Sequence, residues 1–151
     1  MTFDLSFRTA TTIDANAIRD LVRAAYARWV PVIGREPRPM LADYDKAVRE
    51  HRIDLLRADH RLVGLIETVL HDDQLWIENV AVSPDAQGRG YGRRLLEHAE
   101  QVAAEASRSA VRLLTNEAFA SNVRLYQGLG YVVERSEPFM GGNTLYMCKM
   151  L

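Results

Sequence analysis

Val80-Ala81-Val82-Ser83-Pro84-Asp85-Ala86-Gln87-Gly88-Arg89-Gly90-Tyr91-Gly92-Arg93-Arg94-Leu95-Leu96 is the stretch on which the reading of this chain turns. An apolar, strand-like run passes through glycines into a segment whose apolar residues, Leu95, Leu96, Ala99, Val102, Ala103 and Ala106, recur at helical spacing. Glycines at 88, 90 and 92 let the main chain approach a ligand closely, and the helix they open has first-turn N–H groups with no partner inside it. A diphosphate satisfies those donors and is favoured by the partial positive charge of the helix start. A tight glycine turn without a ligand carries the same local pattern.

Upstream of this stretch, three strand-like runs, Arg52 to Arg57, Leu62 to Leu70 and Leu75 to Val82, are separated by Ala58-Asp59-His60 and His71-Asp72-Asp73, which predicts an antiparallel meander. Before the meander, Phe3, Leu5 and Phe7 alternate as in a strand, and Thr11, Thr12 and Asp14 mark a helix start. Ile13, Ala17, Leu21, Val22, Ala25 and Trp29 give that helix one buried face, and Pro31 and Gly34 stop it. Prolines 37 and 39 predict an irregular 34–40 segment, followed by a short helix from Ala42 to Val48. Downstream, the long helix breaks at Ser107-Arg108-Ser109 and leads to a short buried strand, Val111 to Leu114, making a strand–helix–strand crossover. A last helix over Ser121 to Gln127 ends near Gly128 and Gly130. Tyr131 to Glu134 and Thr144 to Met150 then pair across Gly141-Gly142. The class is α/β, an α+β arrangement around a mixed sheet.

A chain of 151 residues, 48% of them hydrophobic, with no repeat, linker or low-complexity tract, predicts one domain over 1–151. Nineteen basic against 20 acidic residues, a net charge of -1, give no general electrostatic reason to bind nucleic acid or an anionic membrane. No apolar run reaches the roughly 18 residues of a membrane span. The single Cys148 makes no internal disulfide and Met1-Thr2-Phe3-Asp4 lacks the pattern of a signal peptide, so a cytoplasmic location is expected. Four histidines, His51, His60, His71 and His98, fall at no metal-ligand spacing, so no metal is expected, and Cys148 reads as a small core residue.

The glycine segment fails as a Walker loop because Gly92 is followed by Arg93-Arg94, with no Lys-Ser/Thr pair. It fits a dinucleotide fingerprint poorly, since it lies after an antiparallel meander. Gln87-Gly88-Arg89-Gly90-Tyr91-Gly92 instead resembles the Gln/Arg-x-x-Gly-x-Gly/Ala pyrophosphate loop of the GNAT superfamily of acyl-CoA-dependent N-acyltransferases, preceded here by Asn79-Val80-Ala81-Val82-Ser83-Pro84. Asn122-Val123-Arg124-Leu125-Tyr126-Gln127-Gly128-Leu129-Gly130-Tyr131 resembles that family's Leu-Tyr-x-x-x-Gly-Phe/Tyr motif, and the element order agrees over essentially the whole chain.

The resemblance implies a six- or seven-stranded, mostly antiparallel sheet flanked by about four helices, with strands 75–82 and 111–115 splayed at their C-terminal ends. It implies transfer of an acetyl group from acetyl-CoA, a co-substrate, directly onto a primary amine of a small molecule or peptide in a ternary complex. A homodimer is a further expectation. A CoA-binding regulatory module without turnover is the alternative, and a nucleotide-phosphate site is disfavoured by the missing lysine.

In such a fold the main chain of Val80, Ala81 and Val82 pairs with the pantetheine amides, and the amides from Gln87 through Gly88, Arg89, Gly90, Tyr91, Gly92 and Arg93 hold the diphosphate. Arg89 and Arg93 are the nearest cations, and an N–H near Val80 suits the oxyanion. Tyr126 matches the family tyrosine that protonates the departing thiolate; the plain alternative is a packed aromatic with its hydroxyl bonded to backbone. Glu78, placed by alternation on one face with Trp76 and Val80, is the expected base, with a solvent-facing glutamate as its alternative and Glu67 as second candidate. The family's asparagine seven residues before the tyrosine is Phe119 here; Asn122 is expected at the cofactor, and Asn116 is another amide near the site. Acceptor specificity is expected from Val32–Tyr44 and Phe139–Thr144, where Tyr44, Arg35 and Arg38 suit an acidic or aromatic acceptor and are equally well explained as surface charges and an aromatic staple.

Overall fold

The meander forms as three antiparallel strands, β2 (Arg52–Ala58), β3 (Arg61–Leu70) and β4 (Gln74–Val82), in a computed structural model that describes residues 4–151. β1 (Leu5–Thr9) extends it antiparallel to β2, and Phe3 of the predicted first strand lies outside the described residues. Helix α4 (Tyr91–Glu105) then crosses to β5 (Ala110–Asn116), which pairs parallel with β4. A closing hairpin, β6 (Val132–Phe139) and β7 (Gly142–Met150), completes a seven-stranded sheet of order β1-β2-β3-β4-β5-β7-β6. Around it pack α1 (Ala15–Tyr26), a one-turn α2 (Val30–Ile33), α3 (Tyr44–Glu50), α4 and α5 (Ala120–Gly128). Among the described residues no helix is long and apolar enough to cross a membrane.

Each face of the sheet buries its own apolar layer. Leu95, Leu96, Ala99, Val102 and Ala103, the helical stripe read from the sequence, cover Leu56, Ile66, Leu75, Ile77 and Val111 on one side. On the other, Ile18, Leu21, Val22 and Ala25 of α1, with Tyr44 of α3, cover Ile53, Leu55 and Leu65. Gly64 is the point of closest approach between layers: a Cβ there would lie 2.9 Å from the Ala81 carbonyl oxygen and 3.0 Å from Leu95 Cδ1. Gly64→Ala is therefore expected to cost about 1–3 kcal/mol through overpacking, read as a fall in Tm of about 2–4 °C per kcal/mol. An unchanged Tm would mean that β4 and α4 yield freely.

The first helix departs from its predicted phase. Asp14 Oδ2 accepts the Thr11 N–H at 2.8 Å and holds Arg8, closing a 3₁₀ turn over Thr12–Asp14, so the α-helix begins only at Ala15. Ile13 is consequently 90% exposed and Ala17 faces solvent, while Ile18 takes the buried position. Pro31 does not stop the segment: it lies in the first turn of α2, where its missing N–H is not needed, and Gly34 ends the run. The 34–40 stretch contains a 3₁₀ turn, Arg38–Leu41, and α3 runs two residues later than expected.

Two features of β4 shape the space beside it. It pairs with β5 only from Gln74↔Ala110 to Ile77↔Leu113; beyond that the two strands part, β4 continuing against β3 to Val82 and β5 against β7 to Asn116. It also carries a bulge, since Glu67 pairs with Asn79 and Thr68 with Ile77, leaving Glu78 as the extra residue. The bulge resets the alternation: Ile77 and Val80 both pack toward α4, so Glu78 does not share a face with Val80 as simple period-two counting expects.

Candidate active site

The parting of β4 and β5 opens into two cavities, of about 330 and 980 Å³, which share Tyr26, Val80, Asn122 and Tyr126 in their walls. The smaller lies between the glycine loop and α5. Its wall includes Val80, Ala81 and Val82 of the parted strand, and Gln87, Gly88, Gly90, Tyr91, Gly92 and Arg93 of the loop and first turn of α4. Arg89 stands exposed on the loop. Gly90 caps α4 with φ +82, a left-handed conformation that a side chain would strain. Gln87 steadies the loop by donating from Nε2 to the Val82 carbonyl at 3.3 Å. Arg93 donates from Nε to Glu97 Oε1 at 3.0 Å, which pairs its guanidinium along the helix surface.

Tyr126 stands at the junction. It projects from α5, is 5% exposed, and lies edge-on to Tyr131 with ring centroids 6.2 Å apart. Its hydroxyl makes no hydrogen bond to any described residue, so the backbone-bonded alternative is not what the fold provides. Burial pushes the phenol's pKa well up, keeping it protonated at neutral pH. Phe119, where the family pattern has asparagine, stacks on Trp29 at 4.8 Å and fills the apolar layer between α1 and α5. Asn122 lies one turn before Tyr126 on α5 and lines both cavities.

The larger cavity is walled by the parts assigned to acceptor recognition: Ile33, Arg35 and Arg38 from one side, Phe139 and Thr144 from the hairpin. The Arg35 guanidinium lies 5.4 Å from the Phe139 ring centre, joining the two walls. Tyr44 is not an exposed recognition residue: it is 1% exposed, donates to the Pro39 carbonyl at 2.6 Å and accepts from Asn79 Nδ2 at 3.3 Å. Asn79 Oδ1 in turn accepts from the Tyr26 hydroxyl at 2.8 Å, forming a buried polar network that links α1, α3 and β4. Asn116 lines this cavity while its Oδ1 caps the Ala118 N–H at 2.9 Å.

Both candidate carboxylates face this cavity. Glu78 is exposed at the bulge. Glu67 is buried, 6% exposed, and its Oε2 takes the His51 Nδ1 at 2.6 Å. Burial pushes the Glu67 carboxyl above the usual range, the His51 contact offsets part of this, and the nearby Glu78 charge adds to it. The sequence carried no signal for the His51–Glu67 pair, which joins residues 16 apart through the β2–β3 register, nor for Tyr26 and Asn79. Among the described residues no group of His, Cys, Asp and Glu is placed to hold a metal, and His98 is occupied by Asp54 at 2.9 Å. Cys148 is buried in the sheet, and burial pushes its thiol up.

Comparison with known proteins agrees with this geometry. Residues 16–131 match the model of the acetyltransferase (GNAT) family. A [ribosomal protein bS18]-alanine N-acetyltransferase of Salmonella typhimurium (strain LT2) is 39% identical over 79 residues, 50% of this chain, and the chain spans about half (51%) of that relative's length. Among solved structures, the PaiA N-acetyltransferase of Thermoplasma acidophilum, in complex with coenzyme A, superposes with a TM-score of 0.82 at 15% identity, over 98% of this chain and 99% of that one. The ribosomal-protein-S18-alanine N-acetyltransferase of Escherichia coli gives 0.79 at 20% identity, over 97% and 94%. With the family model matching most of the chain, the chain belongs to the acetyltransferase (GNAT) family.

Proposed function

We propose that this protein transfers the acetyl group of acetyl-CoA directly to a primary amine, with both substrates bound at once. The observation that carries the reading is the junction at Tyr126, where a cavity ending in the glycine loop meets a cavity walled by carboxylates. The donor's diphosphate is held by the amides from Gln87 to Arg93, and its pantetheine lies along Val80 to Val82 where β5 has left β4. The amine nitrogen attacks the thioester carbonyl carbon, a backbone N–H near Val80 steadies the oxyanion, and the C–S bond breaks. Tyr126 gives its proton to the departing thiolate, and the attacking nitrogen, cationic after addition, sheds its second proton to restore the phenol as the amide forms. Glu78, on the strand that carries the thioester, takes the proton of the acceptor ammonium directly or through water, and Glu67 is the second carboxylate beside it.

For the acceptor, a peptide N-terminus is the class to test first, because the Salmonella relative is an alanine N-acetyltransferase of a ribosomal protein. The test is calorimetry with acetyl-CoA followed by thiol release over a panel of N-terminal peptides, lysine peptides, amino acids and polyamines. Binding together with amine-dependent thiol release is expected. No binding at high micromolar concentration overturns the donor assignment, and binding without release for any amine favours a CoA-binding module.

A further inference from the structure

Arg28 lies outside both sequence motifs, on the 3₁₀ turn Ala27–Trp29 at the end of α1, yet its side chain reaches across the smaller cavity. Nη1 donates to Gln87 Oε1 at 3.1 Å on the glycine loop. Nη2 lies 3.4 Å from both Ser121 Oγ and Asn122 Oδ1 on α5. The guanidinium also sits 4.5 Å from the centre of the Trp29 ring, which is itself stacked on Phe119, so a rigid aromatic platform backs it. All three hydrogen-bond acceptors are neutral, and among the described residues no carboxylate pairs with it. The cavity wall contains no Asp or Glu among the described residues, and its other cation, Arg93, is paired with Glu97. A guanidinium with only neutral partners, beside amides at a helix start, is arranged to exchange weak contacts for anionic oxygens.

Resting on the proposed use of acetyl-CoA as donor, we infer that Arg28 is a donor-binding residue that clamps the diphosphate of CoA from the bridge it makes between the glycine loop and α5. The loop supplies amides; Arg28 supplies the fork of N–H donors from the end of α1 and joins loop and α5. The cation that reads the diphosphate thus comes from outside the glycine motif. Nothing in this assignment touches the acceptor or the transferred group.

The test is calorimetry of wild type, Arg28→Gln and Arg28→Lys with CoA and with dephospho-CoA, at low and high salt. Arg28→Gln is expected to weaken both ligands by tenfold or more, since a charge-assisted bond is lost in each. Arg28→Lys, which keeps charge without the fork, falls between. The salt dependence of CoA affinity becomes shallower in Arg28→Gln, an effect that a merely structural loss does not produce. Affinity within twofold of wild type overturns the inference, as does a loss with unchanged salt dependence. A loss confined to CoA with dephospho-CoA unaffected moves the contact to the ribose phosphate and overturns the diphosphate assignment. Thermal melting of each variant checks that the fold is retained. Wild type that binds no CoA at all refutes the donor reading itself, separately from any effect of Arg28.

Discussion

Tyr126→Phe lowers turnover about a hundredfold or more while KM for acetyl-CoA stays within about twofold. The ring is buried against Tyr131 and keeps its packing in the variant, so the change removes one hydroxyl and little else. That hydroxyl has no described hydrogen-bond partner, and burial holds its proton on at neutral pH. A donor of this kind acts where negative charge appears on sulfur, in the transition state and not in the bound donor, so kcat carries the loss. Steady-state kinetics with saturating amine measure it. A wild-type rate would remove Tyr126 from the acid role, and a change confined to KM would make it a binding residue.

The second large effect separates the two carboxylates. Glu78→Gln lowers kcat/KM for the amine by about a hundredfold and flattens the rise of rate with pH, if the proton leaves to Glu78. Glu67→Gln leaves that rise in place and instead alters stability. Because burial raises the Glu67 carboxyl above its unfolded value, the native state holds a proton that the unfolded chain gives up. Its contribution is present below the ordinary glutamate pKa of about 4.3 and is lost as pH rises through the raised native value. In Glu67→Gln that loss disappears, so Tm depends less steeply on pH across the window. Parallel Tm curves for the two proteins would show that Glu67 is not perturbed, and a pH–rate profile of Glu78→Gln identical to wild type would transfer the base role away from Glu78.

The order of elements and most of the wall of the smaller cavity were legible because they rest on local signals. Glycines at fixed spacing before a helix, the stripe from Leu95 to Ala103, and Leu125-Tyr126 before Gly130 each constrain a short segment; the structure sets the glycines and Leu125-Tyr126 around one cavity and buries the stripe in the core. The features that escaped the sequence depend on residues far apart in the chain. The bulge at Glu78 arises from how β4 sits against β3, and an ordinary glutamate gives no sign of it. Arg28 reads in the sequence as one more polar residue near a helix end; its reach to Gln87 and Asn122 exists only once α1 has packed beside α5. Ile13 misled because a capping turn closed ahead of the helix and shifted the count. The Tyr26–Asn79–Tyr44 network is likewise invisible, since its members are 18 to 53 residues apart.

The gap between β4 and β5 carries a thermodynamic consequence. From Glu78 to Val82 one side of a central strand has no ladder partner, which makes it an unfilled edge in the interior of the sheet. A ligand that lies in the gap as an added strand binds the folded chain alone, so melting temperature becomes a function of donor concentration. At a hundredfold excess over Kd the gain is about 2.7 kcal/mol, several degrees in a chain of this size. In a cell the folded population would then track the acetyl-CoA supply, and the same parted strands that admit the donor would tie the protein's persistence to the availability of its substrate.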